Sequence, residues 1–239
     1  MKPDLDGEAS PPPSEADAVF KERLGVAERY HSILESDGVR LGLIGPREIP
    51  RLWDRHLLNC AVIGDVIDQG ETIVDIGSGA GLPGIPLAIA RPDLHVTLVE
   101  PLLRRSDFLR RVVEELSLDV IVVRGRAEEK VVRATIGTAD VVTSRAVAPL
   151  ERLAKWSAPL IRDAGRMVAI KGASAREEVE RDRAVVGRLG ISDLSVKVCG
   201  EGMLVQPTTV VVGVKRDGVG GCGGDTRESK RLRRTRRKG

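Results

Sequence analysis

Val74-Asp75-Ile76-Gly77-Ser78-Gly79-Ala80-Gly81-Leu82-Pro83-Gly84 is the segment of this 239-residue chain richest in potential chemistry. An apolar run meets a carboxylate and then a glycine-rich turn. Glycines allow a tight bend and let a ligand approach the main chain, and the helix start that follows offers unpaired N–H groups to a negative group. Read at 79–84 the segment satisfies Gly-x-Gly-x-x-Gly, a dinucleotide pattern. Read from the first glycine after the strand it fails, because Leu82 stands where the third glycine belongs. Acid-x-Gly-x-Gly-x-Gly fits better, with Asp75 in the last turn of the strand and Gly77, Gly79 and Gly81 forming the bend. That turn is associated with S-adenosylmethionine, whose methionine ammonium end the acid would face.

Companion residues follow at meaningful spacing. Glu100 closes the next apolar run, twenty-five positions after Asp75, where a carboxylate can accept both ribose hydroxyls of an adenine nucleoside. Arg124-Gly125-Arg126-Ala127-Glu128 supplies a loop whose main chain and Glu128 could address an adenine; taken alone, Glu128 reads rather as a helix-start acid. At the end of the fourth strand stands Val142-Thr143-Ser144-Arg145-Ala146. It holds neither an Asn-Pro-Pro-Tyr to steady an exocyclic amine nor a cysteine to attack a pyrimidine. Arg145 is the ionic group at that edge, with Lys171 after the fifth strand as a second cation. Arg145 reads either as a site cation or as a surface charge or structural ion-pair partner; Lys171 is read as an exposed cation available to RNA.

The elements that must position these residues emerge from periodicity. Residues 1–17 are Pro- and acid-rich without a period and are expected to be disordered. Phe20, Leu24, Ala27, His31 and Leu34 step by four and three as on an amphipathic helix. A second helix from about Pro50 carries Leu52, Trp53, His56, Leu57, Cys60 and Ile63 on one side, giving a helical cap over 18–70. From residue 71 to 216, strands at 72–76, 95–100, 120–124, 140–144, 166–170, 191–198 and 208–215 alternate with helices at 82–91, 104–116, 149–162 (closed by Gly165) and 176–189. This predicts an α/β fold with a mainly parallel sheet and helices on both faces. The 200–207 loop is too short for a crossover helix, so the last two strands should pair antiparallel. Residues 217–239 form a glycine-rich linker and a basic tail.

Composition excludes several classes. With 41% hydrophobic and 31% charged residues the chain can build a core. No apolar run approaches membrane-spanning length and no signal segment precedes the fold. Cys60, Cys199 and Cys222 lie far apart and histidines number three, so a disulfide framework or metal site is not expected and a reducing cytoplasm is. Five aromatic side chains leave almost no material for a base-stacking nucleic-acid platform.

The chain resembles the bacterial small-subunit rRNA guanine-N7 methyltransferases, the glucose-inhibited division protein B family. The resemblance rests on Arg55-His56-Leu57-Leu58, Asp75-Ile76-Gly77 through Gly81-Leu82-Pro83-Gly84-Ile85-Pro86-Leu87, Arg126-Ala127-Glu128, Ser144-Arg145-Ala146 and Lys171-Gly172, and spans about residues 20–215. Asn59-Cys60 stand where many relatives carry Asp-Ser. The resemblance implies a seven-stranded class I (Rossmann-like) S-adenosylmethionine-dependent methyltransferase fold with an antiparallel carboxy-terminal hairpin. It further implies cofactor contacts from Gly77, Leu82, Ala127, Glu128 and Arg145, and methyl transfer to a guanine N7 in 16S rRNA. Three other readings stay open: a class I methyltransferase acting on a protein or small molecule, an NAD-dependent oxidoreductase, and a non-catalytic RNA-binding protein.

RNA contacts are expected from Lys171 and from two further places. Arg51 and Arg55 lie one turn apart on the second helix, forming either a solvated face or a phosphate contact. Residues 226–239 hold eight Lys/Arg, including Arg231, Arg233, Arg234, Arg236 and Arg237, against Glu228, which leaves a net −4 on the other 225 residues. The expected partner is 16S rRNA or the small subunit, bound by a monomer. Cations without apolar anchors neutralise phosphates and add affinity without sequence choice. Deleting residues 218–239 should therefore flatten the salt dependence of RNA binding, measured by filter retention, without moving the methylated position.

Overall fold

The computed structural model describes residues 11–145 and 148–216. The basic-tail candidates Arg231, Arg233, Arg234, Arg236 and Arg237 lie outside the described residues. Seven strands form one sheet: β1 Thr72–Ile76, β2 His95–Glu100, β3 Val120–Arg124, β4 Ala139–Arg145, β5 Ile161–Ile170, β6 Ile191–Cys199 and β7 Thr208–Lys215, in the order β3-β2-β1-β4-β5-β7-β6. All neighbours run parallel except β7, which is antiparallel to both β5 and β6. The expected carboxy-terminal hairpin is therefore present, with β7 inserted between β5 and β6.

The helices are α1 Ser14–Phe20, α2 Leu24–Ile33, α3 Asn59–Ala61, α4 Gly84–Ala90, α5 Leu103–Glu115, α6 Lys130–Ile136, α7 Leu150–Ser157 and α8 Ala175–Arg188. Successive strand residues face opposite sides of the sheet, and the core divides accordingly. Ile73, Val96, Leu98, Val141, Val168, Val210 and Val212 pack with α4, α5 and the amino-terminal helices. Val74, Ile76, Val99, Val142, Met167, Ala169 and Val211 pack with α6, α7 and α8. Strands buried on both faces are why these segments read as nearly unbroken Val/Ile runs.

Differences from the sequence expectation have local causes. Helix α1 begins at Ser14, inside the stretch expected to be disordered, because Ala16 and Phe20 lie one turn apart and are fully buried against the cap. The second cap helix starts at Pro46 rather than Pro50. It winds as a tight turn to Arg51, a wide π-helical segment over Leu52–Leu58, α3, and a tight turn over Val62–Val66. Helix α6 was not expected; it is short, buries Val132 alone and stops at Gly137 with φ 74°. Gly165 does not close a helix. It lies inside β5, where an added Cβ would come within 2.7 Å of the Asp140 carbonyl oxygen, and the β4–β5 register shifts there.

The cap is tied to the sheet by charge as well as by apolar packing. Arg166 on β5 donates to both Glu71 carboxylate oxygens (2.9 and 2.6 Å) and to the Val66 carbonyl at the end of the cap (3.1 Å). The Arg166 and Glu71 side chains are only 17% and 10% exposed. Removing one partner of such a pair costs about 3 kcal/mol, because the other charge stays desolvated. Arg166→Ala should lower the melting temperature by about 6–12 °C, and Glu71→Gln in that background should restore part of the loss, both read by thermal unfolding.

Candidate active site

Strand order reverses between β1 and β4, and the loops at their carboxyl ends frame a crevice of the kind in which open α/β sheets bind ligands. The glycine turn after β1 occupies it. Gly77, Gly79 and Gly81 adopt φ of 71°, 57° and 101°, a region costly for other residues. At Gly81 a Cβ would overlap Ile85, and at Gly84 it would overlap Leu98 and come within 2.9 Å of the Asp75 carboxylate. The turn is thus pressed against the sheet. Gly79 has open space where a Cβ would stand, while Gly77 lines the cleft below.

Asp75 lies beneath this turn and is fully buried. Its Oδ2 accepts the Gly84 N–H at 3.1 Å and its main-chain oxygen accepts the Ser78 hydroxyl at 2.9 Å, while Oδ1 has no hydrogen-bond partner among the described residues. Burial disfavours the charged form and pushes the carboxyl up to about 7, against the Ser78 and Gly84 hydrogen bonds that oppose the rise. Glu100 is also buried. One of its oxygens accepts the Gly79 N–H and the other the Leu102 N–H, both at 2.9 Å. A carboxylate has about four lone-pair sites, so Glu100 fixes the glycine turn and still has acceptor capacity for hydroxyls.

A cleft of about 160 Å³ runs from this turn, lined by Ile76, Gly77, Val99, Pro101, Gly125, Arg126, Ala127, Glu128 and Trp156. Ala127 is buried and Glu128 exposed at its rim, just ahead of α6. Leu82 is half-buried and packs into the cap-side core. Trp156 was missed in the sequence, where a lone tryptophan on an amphipathic helix reads as core; here α7 turns its ring into the cleft wall.

Arg145 closes β4, and Thr143, on the same face of that strand, lies directly across from Asp75 in the β1–β4 register. The Arg145 guanidinium donates to the Cys60 sulfur at 3.5 Å. Cys60, on the apolar side of its helix, is a fully buried contact of the site's cation, and burial pushes its thiol up to about 11. His56, one turn earlier, is buried as expected, with Nε2 at 2.8 Å from Glu48. Burial, seconded by the Arg145 charge, holds its imidazole below the ordinary value. Tyr30 of α2 also reaches the site, its hydroxyl donating to the Ala80 carbonyl at 2.7 Å.

The remaining candidates separate. Lys171 does not face an open surface: it is 10% exposed, paired to Glu178 at 2.8 Å and to the Ala148 carbonyl at 3.0 Å. It is a brace for the segment after β4. Arg51 and Arg55 are exposed and border a shallow groove with Glu15, Asp54, Leu58 and Val205. Arg55 also lies 3.6 Å from Glu48. Among the described residues no group of three or more His, Cys, Asp or Glu is placed to hold a metal ion, and no helix is long and apolar enough to cross a membrane.

The raised Asp75 value links stability to pH. The fold favours the neutral carboxyl, so its contribution is fully present below about pH 4 and is lost as pH rises through about 7. Asp75→Asn keeps the acceptor for Gly84 N–H and never ionises. The ligand-free variant should melt several degrees above the parent at pH 8 and within a degree or so of it at pH 4, as followed by calorimetry; a three-unit shift corresponds to at most about 4 kcal/mol.

Comparison with known proteins gives the family of the chain. The family model GidB, described as rRNA small subunit methyltransferase G, matches residues 23–207. The ribosomal RNA small subunit methyltransferase G of Rhodococcus jostii (strain RHA1) is 67% identical over 193 residues, covering 81% of this chain and 85% of that protein. Among solved structures, a predicted O-methyltransferase from Agrobacterium tumefaciens superposes with a TM-score of 0.53 at 18% identity, covering 67% of this chain and 80% of that one. M. jannaschii TYW2, solved in complex with AdoMet, superposes with a TM-score of 0.50 at 20% identity, covering 69% and 77%. The distant structures share the class I methyltransferase fold. The chain belongs to the GidB family of rRNA small subunit methyltransferases.

Proposed function

We propose that the protein transfers a methyl group from S-adenosylmethionine to N7 of a guanine in 16S rRNA, acting as a monomer in the cytoplasm on the small subunit or its RNA. The observation that carries this reading is the placement of Asp75 and Arg145 on adjacent strands, one beneath the glycine turn and the other beyond it. The residues present suit the cofactor. Asp75 Oδ1 is a buried acceptor without a partner among the described residues, available to a cationic group, and Glu100 has lone pairs left for ribose hydroxyls. The Val99, Ala127 and Trp156 surfaces offer apolar walls to a purine. Bound there, S-adenosylmethionine supplies an electrophilic methyl group on a sulfonium centre.

Guanine N7 is an in-plane lone pair without a proton, so its attack needs no general base. The protein's task is alignment and exclusion of water. Arg145 is a cation at the methyl-facing edge, and its guanidinium suits guanine O6 or the methionine carboxylate. It should leave N7 free, unlike ordinary bidentate Arg–guanine readout. Exposed Arg51 and Arg55, with the basic tail, supply phosphate contacts. The oxidoreductase alternative is disfavoured by the turn register and by a carboxyl group buried under the loop. A protein or small-molecule acceptor lacks a use for the tail.

Calorimetric titration with S-adenosylmethionine and with NAD, followed by mass mapping of methyl groups on 16S rRNA, tests the reading. Binding of the first and not the second, with one added methyl on a guanine, is the expected result. NAD binding or a methyl-free RNA would overturn it. Arg145→Ala should lower kcat/KM for RNA at least about a hundredfold, the scale of a small misplacement of reacting groups.

A further inference from the structure

We infer that Tyr30, on the amino-terminal cap, is a positioning residue of the cofactor site that sets the shape of the glycine turn, so that cofactor affinity is governed from outside the strand–helix repeat. The inference rests on the reading that this turn holds S-adenosylmethionine. Tyr30 is the only tyrosine in the chain and is fully buried. Its hydroxyl donates to the Ala80 carbonyl at 2.7 Å, fifty residues away in sequence. Ala80 sits between Gly79 and Gly81, both at positive φ. A segment of this kind has many accessible conformations, and its productive one must be imposed.

The anchors divide by origin. The N–H groups of Gly77 and Ser78 reach the Val99 carbonyl, that of Gly79 reaches Glu100, and that of Gly84 reaches Asp75, all within the sheet domain. The Ala80 carbonyl is held from the cap. Rotation of the Ala80–Gly81 peptide would exchange that carbonyl for an N–H and alter what the turn presents at Gly79. There is little room for such a change, since a Cβ at Gly81 would stand 3.0 Å from the Tyr30 oxygen. Burial, with Cys60 and Asp75 nearby, keeps the phenol protonated well beyond its ordinary range, so it remains a donor. Cys60 gives the cap a second hold on the site through Arg145.

Tyr30→Phe keeps the ring and removes the donor, leaving a buried carbonyl unpaired. Phe20→Leu serves as a control that loosens the cap near Trp53 without touching the turn. Each is titrated with S-adenosylmethionine by calorimetry beside the parent, melted without ligand, and assayed for KM toward cofactor and RNA. Tyr30→Phe should weaken S-adenosylmethionine about tenfold and raise its KM to match, with the RNA KM and kcat within twofold. Phe20→Leu should lower the melting temperature and leave cofactor affinity unchanged. Parent-like affinity in Tyr30→Phe, or equal weakening in both variants, overturns the inference while leaving the proposed function intact. A parent protein that does not bind S-adenosylmethionine overturns both.

Discussion

A carboxyl group sealed from water under a glycine turn is the constraint on which the crevice depends. Asp75 can remain there because one oxygen takes the Gly84 N–H, and that N–H is reachable only because residue 84 has no side chain. The arrangement fixes the start of α4 against β1 and brings the preceding glycines to the crevice mouth. It also leaves a buried acceptor unpaired among the described residues, a cost of about 1–3 kcal/mol that a suitable ligand group can recover. Stability is held back at the point where binding is to occur.

Around that point the electrostatics are built from few charges. Two carboxyl groups, Asp75 and Glu100, stand on neighbouring strand ends, and one guanidinium, Arg145, stands on the other side of the switch point. The cap supplies neutral polar groups against them: a phenol on the Ala80 carbonyl, a thiol on the guanidinium and an imidazole whose charge burial suppresses. In a medium of low polarity such short dipoles orient charged neighbours without competing with them. The cap is therefore a wall of the site rather than an appendage to it.

Much of this was legible in the sequence because it follows from local rules. The β strands 72–76, 95–100 and 120–124 are short, mainly apolar runs with a charged residue at or one place before their end, and their limits agree with the structure. Asp75, Gly77, Gly79, Gly81, Glu100 and Arg145 could be found because chemistry demands those residue types at strand ends. What could not be read is contact across the chain. Tyr30 and Cys60 look like ordinary members of an apolar helix face, and only the docking of the cap shows which carbonyl and which cation they meet. Lys171 misled for the same reason. Its charge suggested a surface, while Glu178, seven residues on, closes a buried pair with it. Helix α6 and the early start of β5 were hidden by weak periodicity and by a glycine that serves a register shift rather than a stop.

The position of β7 has a consequence for the cap. The last strand lies in the middle of the final three, and the Thr208 hydroxyl at its start donates to the Asn59 carbonyl of the cap at 2.9 Å, while the Gly200 N–H reaches Asp65 at 2.8 Å. The segment made first thus finds its seat on segments made last. The cap around Asn59 and Asp65 therefore has its full set of hydrogen bonds only in a chain that extends through β7.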